Sequence, residues 1–462
     1  MASTYIHRTP ASSGSGTTFT ISFWMKRGRL SFGNQTPFIS HKGGSDYTWL
    51  RFNSSDQMEF LGYKGGPETF DLKTTRKFRD TSAWMHICIT FDSTESTSTD
   101  RLKFYVNGVK ETSFATSNYP TEDNTMIIND TTAANVIGVG YSSTGYVTAD
   151  NHWDGCLSHF HFIDGTAYQA STFGETDSTS GIWKIKTGPS VTYGTNGFFL
   201  KMEDRTNLDL DSGTNAFTFT TVGTGTPTYD NPSNNFCTMN PLDNYYWGAT
   251  FSNGNLSVVS GSNETFSQST VSLSSGKWYW EYKDVTATGQ DEFGFSSSVS
   301  EATNDKTNNG TSGRCGMVWN NYSTGQVTLM KTAGSTPYTA FNDFTSGDIL
   351  GFYMDLDNNK GYAALNGVIQ NSGTGLDLEP VATTNTGFYS PVWGEAASGN
   401  MTAQVNFGNG YFGTTAITSP TADEGGIGAF KYDPSDGGAS SFDGSAKDFR
   451  AICTKNIKLY GG

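Results

Sequence analysis

The sequence predicts an all-β protein built as two antiparallel β-sandwiches. Three observations carry this. Strand and turn residues dominate: charged residues are only 16% of the chain, aromatics are 14%, and there are 54 glycines, whereas strong helix formers are sparse. Short runs alternate apolar and polar side chains with the period of two that a half-buried strand requires. The turn Asn-Gly-Val, which suits a type I′ hairpin, occurs twice, in "RLKFYVNGVKETSF" (101–114) and in "NKGYAALNGVIQNS" (359–372).

The first unit is expected over residues 1–175. In "TTFTISFWMKRG" (17–28), Phe19, Ile21, Phe23 and Met25 alternate with Thr20, Ser22, Trp24 and Lys26, so one face turns to a core. The runs "TPFISHK", "YTWLRFN", "MEFLGY", "WMHICITFD", the first hairpin, "NVIGVGY" and "GCLSHFHFIDG" follow. Gly, Pro, Asn and Asp clusters separate them at near-regular intervals, which favours a sandwich over βαβ units. Residues 176–242 hold strand-like pieces between polar turns, and Phe198, Phe199 and Leu200 make them too apolar for a free linker, so a packed irregular connector is expected. The second unit, 243–413, contains the dense aromatic strand "KWYWEYKDV", then "EFGFSS", "RCGMVWNN", "GDILGFYMDLDNNKGYAALNGV", "FYSPVWGE" and "MTAQVNFGN". The segment 414–462 is rich in Gly, Ser and Asp but ends in "FRAICTKNIKLYGG", an apolar run that should dock rather than dangle.

Bulk properties exclude several classes. No run of about 18 apolar residues is present, so no membrane-spanning helix is expected. The start, "MASTYIHRTPASSG", lacks the apolar stretch of a secretion signal. The net charge is −15 and no basic run exceeds "TTRKFR", so a nucleic-acid partner is not expected. The five cysteines are widely spaced and odd in number, which reads as free, mostly buried thiols made in a reducing cytoplasm.

Three resemblances attach to these residues. "TISFWMKRG", "WMHICITFD", "RLKFYVNGVKE" and "WDGCLSHFHFIDGTAY", kept in order, resemble a laminin-G/concanavalin-like jelly roll over about 165 residues. "SGKWYWEYKDV", "EFGFSSS", "GDILGFYMDLDNNKGYAALNG" and "FYSPVWG" with "VNFG" resemble a SPRY domain. The whole arrangement, including "YGTNGFFLKMEDRTNLDLDSGTNAFTF" and "DNPSNNFCTMNPLD", looks like a structural protein type encoded by marine tailed phages. These resemblances imply two jelly-roll sandwiches. They also imply a virion location, with assembly in the host bacterial cytoplasm.

Candidate sites follow from residue chemistry. Sugar recognition uses aromatic faces with planar polar groups. Trp49, Tyr141, Tyr146 and Trp153 are the candidates in the first unit, and Trp319, Asn320, Asn321, Tyr322 and Trp393 in the second. Packing in cores or subunit contacts is the plainer role for each. His159 and His161 sit two apart on one strand, a spacing that suits metal ligands or a half-buried aromatic strand. No cofactor is expected, calcium being the one ion that Asp209 and Asp211 in "DLDSG", or "DLDNN" (355–359), could hold; Asp and Asn also simply build turns. Glycoside hydrolysis needs two carboxylates about 5–5.5 or about 6.5–9.5 Å apart. The nearest run, "WEYKDVTATGQDE", puts Glu281 and Lys283 on one face and Asp284 on the other.

The expected function is therefore non-enzymatic: a virion surface protein, either tail fibre or capsid decoration, that binds host surface glycan or neighbouring virion proteins and forms homo-oligomers. The first strand begins by about residue 17, which favours a compact, surface-mounted piece. A glucanase-like enzyme and a SPRY protein-binding adaptor are the competing readings.

Overall fold

The computed structural model describes residues 4–142, 145–261, 264–287, 290–297, 315–321, 326–396, 399–434, 442 and 448–461, with the side chains at 141–150, 245 and 246 left out. The chain is nearly all β and divides into two compact units, Met1–Pro227 and Thr228–Gly462. Each holds antiparallel sheets of a jelly-roll sandwich.

In the first unit the larger sheet runs, in spatial order, Phe114–Asn118, Glu68–Lys77, Gln57–Tyr63, Asp46–Phe52, Gln35–Gly43, Ala134–Ile137, Tyr5–Arg8 and Thr220–Val222. The smaller runs Phe198–Leu200, Gly155–Asp164, Thr18–Arg27, Met85–Asp92, Leu102–Val106 and Val109–Lys110. Between them lies an aromatic core in which Phe19, Ile21, Phe23 and Met25 meet Phe38, Leu50, Phe60, Phe160 and Phe162. The opposite face of strand Thr18–Arg27 is buried as well. Trp24 lies over His86, with ring centroids 5.2 Å apart, and Ser22 Oγ is 2.8 Å from His86 Nε2. A second apolar layer containing Cys88, Ile163, Phe173, Tyr193 and Phe199 lies on the same side of the smaller sheet.

Residues 176–242, expected as one connector, divide between the units. Phe198 and Leu200 are core residues of the first sandwich, and Thr220–Val222 pairs with Tyr5–Arg8 at the edge of its larger sheet. Phe236 bridges to Cys453 in the second unit. The apolarity that argued against a free linker is the apolarity of sandwich strands.

A buried ion pair closes one end of the first sandwich. Arg27 Nη1 donates to Asp56 Oδ1 at 3.1 Å and to the Phe78 carbonyl at 2.8 Å, and both charged side chains are fully buried. Asp56 Oδ1 also accepts the Ser31 amide at 2.8 Å, and Oδ2 accepts Arg79 Nε at 3.1 Å. Arg27→Met removes one partner of a buried charge, so urea unfolding should register a loss of about 3–5 kcal/mol.

In the second unit one sheet runs Met239–Tyr246, Thr265–Ser269, Ser390–Glu395, Asp291–Ser296, Gly316–Asn320, Gln326–Lys331 and Gly334–Tyr338. The other runs Thr250–Ser252, Ser257–Val259, Thr402–Asn406, Lys277–Thr286, Ile349–Asp355, Lys360–Leu365 and Val368–Ile369. Trp278, Trp280 and Tyr282 point between the sheets, towards Phe293, Phe295, Trp319 and Trp393. Tyr279 points the other way, into a layer with Tyr353, Tyr362, Phe430, Phe442 and Phe449. The C-terminal segment thus lies on this sheet, where Arg450–Ala451 pairs in parallel with Trp278 and Tyr279.

Candidate functional site

The outward face of the larger first-unit sheet carries the strongest grouping of recognition chemistry. Period-two alternation sends Leu50 and Phe52 into the core and leaves Tyr47, Trp49 and Arg51 outside. The next strand presents Glu59, Leu61 and Tyr63 opposite them, paired Arg51 to Glu59, Trp49 to Leu61 and Tyr47 to Tyr63. The strand beyond adds Asp71 opposite Leu61 and Lys73 opposite Glu59.

Tyr47 and Tyr63 are half-buried, with ring centroids 5.0 Å apart. Tyr63 donates its hydroxyl to Glu68 Oε2 at 3.2 Å, and Asn118 Nδ2 donates to Glu68 Oε1 at 2.9 Å. Beside them, Glu59 is nearly buried and both of its oxygens are occupied, by Arg51 Nε at 2.6 Å and Lys73 Nζ at 3.0 Å. Arg51 also lies over the Trp49 ring at 4.6 Å. Asp71 differs from Glu59. Its Oδ1 is buried and has no hydrogen-bond partner. Burial first, and then the Glu59 charge, raise its pKa to about 6, against the pull of Lys73. Two half-buried aromatic rings, the half-buried Asp71 carboxylate and the exposed Asn118 amide thus share one sheet face. That is the equipment for stacking on a sugar ring and hydrogen-bonding its hydroxyls.

Of the first-unit residues selected from sequence, Trp49 stands on this face, though not as a loop-tip platform. Trp49 is buried, and its indole N–H donates to Thr36 Oγ1 at 2.9 Å. Gly140 sits directly against Trp49, so the hairpin of Val139–Ser142 with Gly145–His152 packs beside it. Tyr141 and Tyr146 are cross-strand partners in that hairpin, but their side chains lie outside the described residues. Trp153 packs against Phe52, with ring centroids 5.8 Å apart, on the core side.

In the second unit the selection needs correcting. Trp319 and Trp393 are fully buried in the sandwich core, because "VWN" and "VWG" continue strands rather than form loop tips. Asn320 is buried too, and Asn321 is spent on Asp291, with both hydrogen bonds at 2.8 Å. Tyr322 lies outside the described residues.

The residues weighed as metal ligands are engaged otherwise. Asp211 accepts the backbone amides of Phe199, Gly213 and Phe217 at 2.8–2.9 Å, bracing a turn, while Asp209 Oδ2 accepts the Thr221 hydroxyl at 2.5 Å. His159 Nδ1 meets Ser158 Oγ at 2.8 Å; His161 Nδ1 meets the Tyr193 hydroxyl at 3.0 Å, and its ring stacks on Phe199 at 3.8 Å. Burial lowers His159 to about 4 and holds His161 well below its usual value, so both are neutral near pH 7. Among the described residues, no three His, Cys, Asp or Glu side chains form a ready metal cage.

Residues 2–171 match a family model described as the Concanavalin A-like lectin/glucanases superfamily, and the match lies wholly within the first unit. Among solved structures, the SPRY domain of human HERC1 is similar at 17% identity, covering 36% of this chain and 96% of that one, with a TM-score of 0.28. A heptameric SAP-like pentraxin from Limulus polyphemus is similar at 12% identity, covering 43% and 88%, also at 0.28. No curated protein matches the chain in sequence. No helix among the described residues is long and apolar enough to cross a membrane.

Sequence reading missed Tyr47, Tyr63 and Asp71. The signal was present: "YTWLRF", "MEFLGY" and "FDLK" each alternate, and sorting both faces of neighbouring strands gathers these residues on one surface.

Proposed function

We propose that the chain is a non-enzymatic virion surface protein, a tail fibre or capsid decoration, whose first unit binds host-cell glycan through the outward face of its larger sheet. The carrying observation is the half-buried Tyr47–Tyr63 pair on the same sheet face as the half-buried carboxylate of Asp71. The lectin description of the matched family supports glycan as ligand. The virion location, neighbouring virion proteins as partners and self-association rest on the resemblance of the whole sequence to marine tailed-phage structural proteins.

One observation favours a second reading. Glu59 and Asp71 are diagonal neighbours on adjacent strands, a carboxylate pair on a sheet of the superfamily that includes glucanases. Against hydrolysis, both Glu59 oxygens are held by cations, so it is poorly placed to attack a sugar or activate water. Asp71 Oδ1 lacks a hydrogen-bond partner but is buried, so it too is poorly placed to activate water.

The test is adsorption of the purified chain to host bacterial cells, with competition against intact phage. Adsorption that blocks infection, without release of reducing sugar, supports the reading. Release of reducing ends that Asp71→Asn abolishes would replace it with the glucanase reading, and no adsorption would remove glycan attachment altogether. Tyr47→Ala and Tyr63→Ala should each weaken adsorption roughly tenfold, equivalent to about 1.4 kcal/mol.

A further inference from the structure

The inward face of the larger first-unit sheet carries a polar row in the midst of its aromatic core. Arg8 is the direct cross-strand partner of Asn135, Asn135 of Ser40, and Ser40 of Thr48, across four adjacent strands. Each lies two residues from an inward-facing core residue, namely Ile6, Ile137, Phe38 and Leu50. The four side chains therefore line up on the core side of the sheet. Asn135 is 2% exposed, and Ser40 and Thr48 are 0% exposed.

Five polar atoms of this row are buried and have no hydrogen-bond partner among the described residues: Arg8 Nη1, Asn135 Nδ2 and Oδ1, Ser40 Oγ and Thr48 Oγ1. Buried polar groups without partners are costly, and native cores hold few of them. Five in one file call for a common answer, and the strand spacing supplies it. Adjacent strands lie about 4.7–4.9 Å apart. The short Ser40 and Thr48 hydroxyls do not close that gap on each other, whereas a water molecule making two hydrogen bonds of about 2.8 Å spans it. The chemistry is complete for this role. Arg8 Nη1 and Asn135 Nδ2 donate, Asn135 Oδ1 accepts, and the two hydroxyls do both.

We propose that the first sandwich binds a file of ordered water molecules along Arg8, Asn135, Ser40 and Thr48. The file has one closed end and one end near solvent. Beyond Thr48 the next partner is Gly62, and the Phe70 ring lies over it. At the other end Arg8 is half-buried, with its guanidinium 3.4 Å from the centre of the Phe217 ring. Its strand is followed only by the exposed edge strand Thr220–Val222. Water enters there and is then held as part of the fold, as buried waters are in other proteins at about one per 27 residues. This site does not depend on the glycan reading of the opposite sheet face.

Two measurements on the full chain test the file. In a high-resolution crystal structure, water density within about 3.2 Å of both Ser40 Oγ and Thr48 Oγ1 is the expected result. Density that shows the row dry, or its side chains bonded directly to one another, overturns the proposal. The second measurement is the urea midpoint of Thr48→Val, which keeps the shape of the side chain. In a hydrated row valine removes a partner from a bound water, so the midpoint falls. In a dry row it removes an unsatisfied hydroxyl, so the midpoint rises. A midpoint that is unchanged or raised overturns the proposal.

Discussion

Gly108→Val and Gly367→Val should each destabilise the protein by about 2–4 kcal/mol, read by urea unfolding. The two Asn-Gly-Val turns are the same device in both units. Asn107 and Gly108 have φ of 47° and 79°, and Asn366 and Gly367 have 49° and 81°, as a type I′ turn requires. In each, the Asn side chain ties the turn to the adjacent strand: Asn107 Oδ1 accepts the His86 amide at 2.8 Å, and Asn366 Oδ1 the Ile349 amide at 2.9 Å. In each, an aromatic ring from later in the chain covers the glycine, Trp183 over Gly108 and Tyr432 over Gly367. Valine therefore meets both a disfavoured left-handed backbone and an occupied space. Gly44 is the control. Its φ of 58° is also left-handed, but the space around it is open, so Gly44→Ala should lose only about 1 kcal/mol.

The second large effect is expected at Glu281. This carboxylate is fully buried beneath the C-terminal segment and accepts four hydrogen bonds. They come from the Lys431 amide at 3.0 Å, the Tyr432 amide at 2.8 Å, Asn406 Nδ2 at 3.0 Å and the Tyr279 hydroxyl at 3.0 Å. Glu281→Ala strands all four donors in the interior, and a loss of about 3–4 kcal/mol follows. Cleavage of the 414–462 segment by trypsin should accelerate in the same variant.

Glu281 also has a pH signature. Burial raises its pKa to about 7 despite the four donors. The folded state then holds a proton that the unfolded state has released, so this group's contribution to stability falls as pH rises from about 4.5 to 7 and is constant above. Neutral buried histidines act oppositely. His86, lowered to about 3 by burial, favours unfolding as pH falls below about 6.5. Comparing wild type with Glu281→Gln isolates the carboxylate: the stability difference should shift between pH 4.5 and 7 and stay flat above.

Strand alternation made most of the fold legible. The faces of "TTFTISFWMKRG" and "KWYWEYKDV" sort as their periodicity says, and both Asn-Gly turns sit where the sequence puts hairpins. The connector was harder. "GFFL" is a three-residue strand, too short to show a period, and its place beside Gly155–Asp164 depends on a long-range pairing that local pattern does not encode. The site was legible only in part. Trp319 and Trp393 looked like loop aromatics because turn-forming Asn and Gly follow them, yet burial of a large indole outweighs that local signal. Tyr47 and Tyr63 were overlooked because a half-buried strand tyrosine resembles a packing residue until its cross-strand neighbours are known.

The most direct test of the central claim is a glycan array printed with bacterial surface polysaccharides and β-glucans, probed with wild-type chain, Tyr63→Ala and Asp71→Asn. Saturable binding to a defined set of glycans, reduced roughly tenfold or more by both substitutions while thermal unfolding is little changed, is the predicted result. Binding that neither substitution alters would contradict the assignment of this sheet face.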